Sequence, residues 1–197
     1  MKKPTGTSGF MRISPKDISF KKTIFPDSKE EIEVFIMERF VENTNNQDAP
    51  FKFISFVQNE QNDFDFSVET IFGKNDIDLM EIAILDKNGY SLVNNQCNDI
   101  EFSRSILKKI KSKSVKYGNK KLPLSLLLYA TDFKFNLSEL VIQHLQYLLN
   151  KEGHCFKMIF FFSLLDNKNG YSRLLFPSDI NEFDENRYRN NITINLS

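Results

Sequence analysis

The chain has 197 residues, 41% of them hydrophobic, with 20 Phe and no Trp; that is enough apolar material to bury a core in one domain, and too much for a disordered segment. Lys plus Arg and Asp plus Glu both number 26, so no global basic field marks a nucleic-acid binder and any such contact must come from a local patch. The longest apolar runs, residues 122–130 and 158–165, are about half the length of a membrane span.

The start, Met1-Lys2-Lys3 followed by Pro4-Thr5-Gly6-Thr7, has no apolar leader, and a cytoplasmic protein is expected. The two cysteines, Cys97 and Cys155, are far apart and read as reduced thiols. Residues 1–27 mix Gly, Pro, Ser and Lys and read as an N-terminal arm, which Ile18-Ser19-Phe20 can pin to the body. Residues 28–197 read as a single α/β domain. Ser28-Lys29-Glu30-Glu31 has capping-box spacing, and Ile32, Phe35, Ile36 and Phe40 follow at helical period. That predicts a helix over 29–41, ended by the polar stretch 43–50.

Residues 51–57 predict a strand and 59–62 a turn. In the next stretch, 63–85, Asp63, Asp65, Ser67 and Glu69 alternate with Phe64, Phe66 and Val68, so a strand points acids one way and apolar side chains the other. A turn with Gly73, Asn75 and Asp76 leads into a second apolar run, 77–85, with Glu81 in its middle. An unpaired carboxylate in such a strand is costly. Acids on the first strand of this hairpin can meet Glu81 on the second, and converging carboxylates make a site for a divalent cation such as Mg²⁺.

After a turn at 86–89, Asn98 or Asp99 caps a helix over 100–117, with Ile100, Ser103, Ile106, Leu107 and Ile110 on one face. Arg104, Lys108, Lys109, Lys111, Lys113 and Lys116 make a cationic face able to bind phosphates or simply to solvate the helix. Gly118 ends it. Residues 122–130 predict a buried strand, Asn136 with Glu139 opens a helix over 137–149, and 158–165 predicts another buried strand. Strand, helix, strand, with both strands apolar throughout, is the pattern of a βαβ crossover and a parallel pair. The tail has a turn at 167–170, a polar segment to Asn190 and an edge strand at 192–194. The fold class expected is α/β: a mixed sheet, antiparallel meander plus βαβ unit, flanked by helices.

The order helix, three-stranded meander, helix, strand resembles the core of the PD-(D/E)XK, or restriction-endonuclease-like, superfamily over roughly residues 28–165. The superfamily carries metal-binding acids on the second and third strands, usually with a lysine two residues past the second acid. Asp63 or Asp65 falls at the first acid, Asp65 better placed, and Glu81 at the second. The lysine position is Ala83. Some members supply the lysine from the following helix, where Lys109, Lys113 or Lys116 can serve; others have lost catalysis and only bind. The resemblance implies Mg²⁺ held by Asp65 and Glu81 with Asp63 beside them, and Lys113 as the catalytic lysine. It further implies DNA contacts from Arg104, Lys109, Lys113 and Lys116. The competing expectation is a non-enzymatic inhibitor or binding module whose partner is a protein. His144, His154, Cys155 and Cys97 do not have zinc-site spacing, and no Gly-rich phosphate loop or serine-nucleophile elbow is present.

Overall fold

The computed structural model describes residues 9–14, 17–47, 52–59, 64–82, 85–86, 89–90, 96–118, 124–188 and 192–194. In chain order these form β1 (Gly9–Ser14), β2 (Asp17–Lys22), α1 (Lys29–Asn46), β3 (Phe53–Gln58), β4 (Phe66–Thr70) and β5 (Gly73–Glu81). Three short strands follow: β6 (Leu85–Asp86), β7 (Gly89–Tyr90) and β8 (Gln96–Asn98). Then come α2 (Asp99–Tyr117), β9 (Leu124–Ala130), α3 (Glu139–Lys151), β10 (Met158–Leu164), β11 (Gly170–Phe176), the single turn α4 (Glu185–Tyr188) and β12 (Ile192–Ile194).

The protein is an α/β fold around a six-stranded mixed sheet in the order β11-β10-β9-β5-β4-β3. β3, β4 and β5 form the expected antiparallel meander. β9 and β10 are adjacent, parallel and buried, as their apolar sequences require, and β9 also pairs parallel with β5. β11 closes the far edge, antiparallel to β10. Its sequence, Gly-Tyr-Ser-Arg-Leu-Leu-Phe, is half polar because an edge strand is half solvated, which is why the tail reads as polar loop from sequence alone. Gly170 starts it for a steric reason: a Cβ there would stand 2.3 Å from the Phe162 ring.

α1 covers one face of the sheet. Ile32, Ile36, Met37 and Phe40 pack on Phe53, Phe66, Val68, Ile77, Leu79, Leu127 and the aromatic rings of β10. The capping box is formed as its spacing demands: Ser28 Oγ accepts from Glu31 N–H at 3.2 Å, and Glu31 Oε2 accepts from Ser28 N–H at 3.2 Å. The helix runs to Asn46, past the expected end, because Phe40 and Thr44 are buried and keep the last turns on the sheet. α2 and α3 cover the opposite face with Ile106, Ile110, Val141 and Leu145, against Leu124, Leu126, Leu128 and Phe161. Asn98 caps α2, accepting from Ile100 N–H at 2.8 Å. Ser138 rather than Asn136 caps α3, accepting from Val141 N–H at 3.2 Å, while Asn136 Oδ1 takes the Ser163 hydroxyl.

The hairpin turn between β4 and β5 is tighter than the sequence suggests. Ile71 and Phe72 make it, and Gly73 takes φ of +111°, a conformation that favours glycine. Asn75 and Asp76 therefore lie inside β5. Residues 9–22, expected as an arm, form an antiparallel hairpin, β1 with β2. Ile24 N–H then donates to Asn167 Oδ1 at 2.8 Å, tying the segment that follows to the body.

Phe40 is the keystone of the α1 face. Its ring meets those of Phe53, Phe160 and Phe162 at centroid distances of 5.4, 5.3 and 5.8 Å, edge or tilted contacts that exceed simple area burial. Phe40→Ala is expected to lower stability by about 3–5 kcal/mol, measured by urea unfolding; a loss under about 1 kcal/mol would show that the face repacks freely.

Candidate functional site

β5 is longer than its hairpin partner. Its pairing with β4 ends at Phe66↔Ile77, whereas on its other side β9 follows it to Glu81↔Tyr129. Leu79 is the next residue after Ile77 whose N–H and C=O point toward β4, and there β4 has already ended. Buried backbone groups of this kind need partners, and two charged side chains supply them. Asp65 Oδ2 accepts from Leu79 N–H at 2.6 Å, and Lys113 Nζ donates to Leu79 O at 2.5 Å. One carboxylate and one ammonium thus continue the ladder that β4 leaves unfinished.

Asp78 lies between them. It shares the α2 side of β5 with Asp76 and Met80, and is only 2% exposed. Lys113 Nζ approaches Asp78 Oδ2 to 2.9 Å as an ion pair, yet no hydrogen-bond donor is aligned on that buried oxygen. Burial first, and then the hydrogen bond with Asp65, push the Asp78 carboxyl up to about 7, against the pull of Lys113. Tyr117, one helical turn past Lys113, packs its ring on Phe64 at 5.3 Å and hydrogen-bonds Asp78 through its hydroxyl. Burial and the Asp78 charge raise that hydroxyl well above the ordinary tyrosine range. From the opposite face of the sheet, Glu33 of α1 is raised by its own burial and by the charge of Asp65, while Lys29 pairs with it at 3.1 Å.

The expected residues therefore divide. Asp65 and Lys113 converge, but around Asp78 and not around Glu81. An odd separation of three residues puts Asp78 and Glu81 on opposite faces of β5. Glu81 instead accepts the Thr131 hydroxyl, from the segment that follows β9. Lys109 feels the Glu81 charge, and burial lowers its pKa. Asp63 lies outside the described residues. Asp78 and Tyr117 are the members that the sequence reading missed. The signal for Asp78 was present, since Ile77-Asp78-Leu79 sets an acid in the same apolar run that drew attention to Glu81.

The cations of α2 form two rows instead of one face. Lys109, Lys113 and Lys116 recur at i, i+4 and i+7; Lys113 pairs with Asp78, Lys109 feels Glu81, and Lys116 Nζ lies over the Tyr117 ring at 5.0 Å. Arg104, Lys108 and Lys111 recur at the same spacing on the other flank, toward α3. Arg104 there pairs with Glu185 at 2.5 Å.

A second polar cluster is built on α3. His144 is fully buried, with Nδ1 2.5 Å from Ser103 Oγ and Nε2 3.0 Å from Glu185 Oε1. Burial holds the imidazole below its usual range although Glu185 pulls it upward. Serine, histidine and glutamate are a hydrolase's set of groups, but Ser103 is also fully buried and its hydroxyl donates to Ile100 O at 2.8 Å. It is a packing pin between α2, α3 and the C-terminal segment, where Phe183 sits on the His144 ring at 4.7 Å. His154 is half-buried, Cys155 is a free thiol, and Cys97's side chain is outside the described set. Among the described residues no three His, Cys, Asp or Glu side chains converge on a metal position, and no helix is long and apolar enough to cross a membrane. No family model, curated protein or solved structure matches the chain.

The Asp78 titration has a defined sign. Its folded pKa lies above the ordinary 3.8, so between about pH 4 and 7 the native state holds more protons than the unfolded chain. The contribution to stability is then present at low pH and is lost as pH rises through 7. Unfolding free energies measured across this range should show wild type losing ground to Asp78→Asn as pH rises, by at most about 1.4 kcal/mol per pH unit. A flat difference would place Asp78's ionisation outside the window.

Proposed function

We propose that this chain is a nuclease-like protein of the restriction-endonuclease type, which binds DNA and acts on its phosphodiester backbone with Mg²⁺. The single observation that carries this is the meeting of Asp65, just before β4, and Asp78 of β5 with Lys113 from the helix that follows. It supports the superfamily's arrangement of two acids and a helix-borne lysine, with Asp78 in the role expected for Glu81. The donor set suits the ion: hard carboxylate oxygens, one of them buried without an aligned hydrogen bond. Asp65 and Asp78 are the residues that would hold it. When bound, Mg²⁺ supplies a water of lowered pKa and neutralises charge on a phosphate.

The protein's own side chains have separable tasks in this scheme. Lys113 orients the attacking water or the phosphate through an ammonium already held at the strand edge. Tyr117 keeps the Asp78 carboxyl in place. Lys109 and Lys116 lie on the same flank and give the DNA backbone a short cationic track. A cytoplasmic setting belongs to the same proposal, and the free thiol of Cys155 supports it.

The 2% exposure of Asp78 favours a second function, a non-enzymatic module in which the cluster only completes the sheet and the partner is another protein. Thermal melting with and without Mg²⁺ or Mn²⁺ separates the two. For the nuclease-like protein, metal at about 100 times its Kd raises wild-type stability by about 2.7 kcal/mol, and Asp65→Asn and Asp78→Asn each lose the gain. Lys113→Met keeps the metal effect and loses cleavage of a DNA oligonucleotide. Lys109→Gln with Lys116→Gln weakens DNA binding and lowers its salt slope by about two. A wild type that melts identically with and without metal and leaves the oligonucleotide whole establishes the module.

A further inference from the structure

We infer that the groove between α2 and α3 is a separate binding site for a phosphorylated small molecule with a flat organic part, of nucleotide size. The groove has a volume of about 570 Å³, within the usual range for small-molecule sites. It lies on the flank of α2 away from Asp65 and Asp78. Four cations line it: Arg104, Lys108 and Lys111 from α2, and Lys151 from the last turn of α3. Two carboxylates face them, Glu185 and Glu152, and both are already engaged. Glu185 gives one oxygen to His144 and the other to Arg104. Glu152 takes the Lys111 ammonium.

Lys108 and Lys151 remain without a carboxylate partner among the described residues. Four positive and two negative side chains leave the groove at two positive charges, in a chain whose total is zero. Two unpaired ammonium groups over one groove match a dianion with several acceptor oxygens, which a phosphate ester is and a single carboxylate is not. The rest of the lining sets the other half of the ligand. Leu107 and Leu148 are buried beneath the lysines, and Tyr147 stands beside them, its ring 5.8 Å from Lys151 Nζ and backed by His144 and Phe183. The Tyr147 ring next to a cationic rim offers a stacking face for a ring system carrying a phosphate, as a nucleotide does. The Ser103–His144–Glu185 pin gives the groove a rigid wall, because it fixes α2, α3 and the C-terminal segment together.

Calorimetric titration of the full chain with ATP, with inorganic pyrophosphate and with a single-stranded DNA oligonucleotide tests this. Saturable one-to-one binding of ATP is expected, weaker binding of pyrophosphate because it lacks the ring, and competition between the two. Lys108→Gln with Lys151→Gln, both exposed changes, should cut ATP affinity by about tenfold or more while the melting temperature holds. Lys109→Gln with Lys116→Gln, on the other flank, should leave ATP binding intact, so failure of the nuclease-like function and failure of this site are told apart. The inference is overturned if wild type binds neither ATP nor pyrophosphate, if the Lys108/Lys151 variant binds ATP unchanged, or if only the oligonucleotide binds.

Discussion

The architecture depends on one mismatch, between a nine-residue β5 and a five-residue β4. A strand that outruns its neighbour leaves backbone groups unpaired, and inside a protein each such group costs about 1–3 kcal/mol. Here the unpaired residue is Leu79, 3% exposed and packed under α1, so water cannot serve it. Asp65 and Lys113 do, one accepting and one donating. This draws an acid from the bend before β4 and a lysine from the far half of α2 to the same point. Asp78, the residue beside Leu79, then finds itself between them with nowhere else to put its charge.

The consequence is a compact electrostatic problem solved inside the fold. Asp65, Asp78 and Glu33 crowd the end of β5 that β4 leaves unpaired, and Lys113 and Lys29 offset only part of their charge. The protein responds by letting Asp78 keep its proton near neutrality, the ordinary outcome when burial and a neighbouring acid act together. Once Asp78 ionises, three carboxylates face two ammonium groups, an excess of negative charge that a cation would relieve. That is why the cluster, and not the more exposed Glu81, carries the functional proposal.

α2 is the element that connects the separate parts. Its apolar residues, Ile106 and Ile110 among them, seat it on the sheet, and its two rows of cations look in opposite directions. One row meets the acids of β5. The other opens on α3, where Glu185, Glu152 and the buried His144 organise a groove. The fully buried Ser103 and His144 fix the distance between the helices, so both rows are presented by a stiff body.

Much of this protein could be read from its residues in order. The helices, the meander and the parallel β9–β10 pair follow from apolar spacing and from strands greasy on both faces, because those patterns are set by local geometry and by the need to bury area. Asp65 and Lys113 were legible as functional candidates for the same reason: an acid at the start of an alternating strand, and a lysine on an amphipathic helix. Other features had no local signature. β11 is half polar because an edge strand faces water, so only its pairing with β10 reveals it. That Asp78 and not Glu81 meets Asp65 and Lys113 follows from where β4 stops, since that decides which backbone groups of β5 are left bare and which face the lysine meets. The division of six helical cations into two rows is decided by what packs against each flank of α2. Periodicity specifies which residues share a face; only the tertiary structure specifies what that face is set against, and charge takes its meaning from its neighbours.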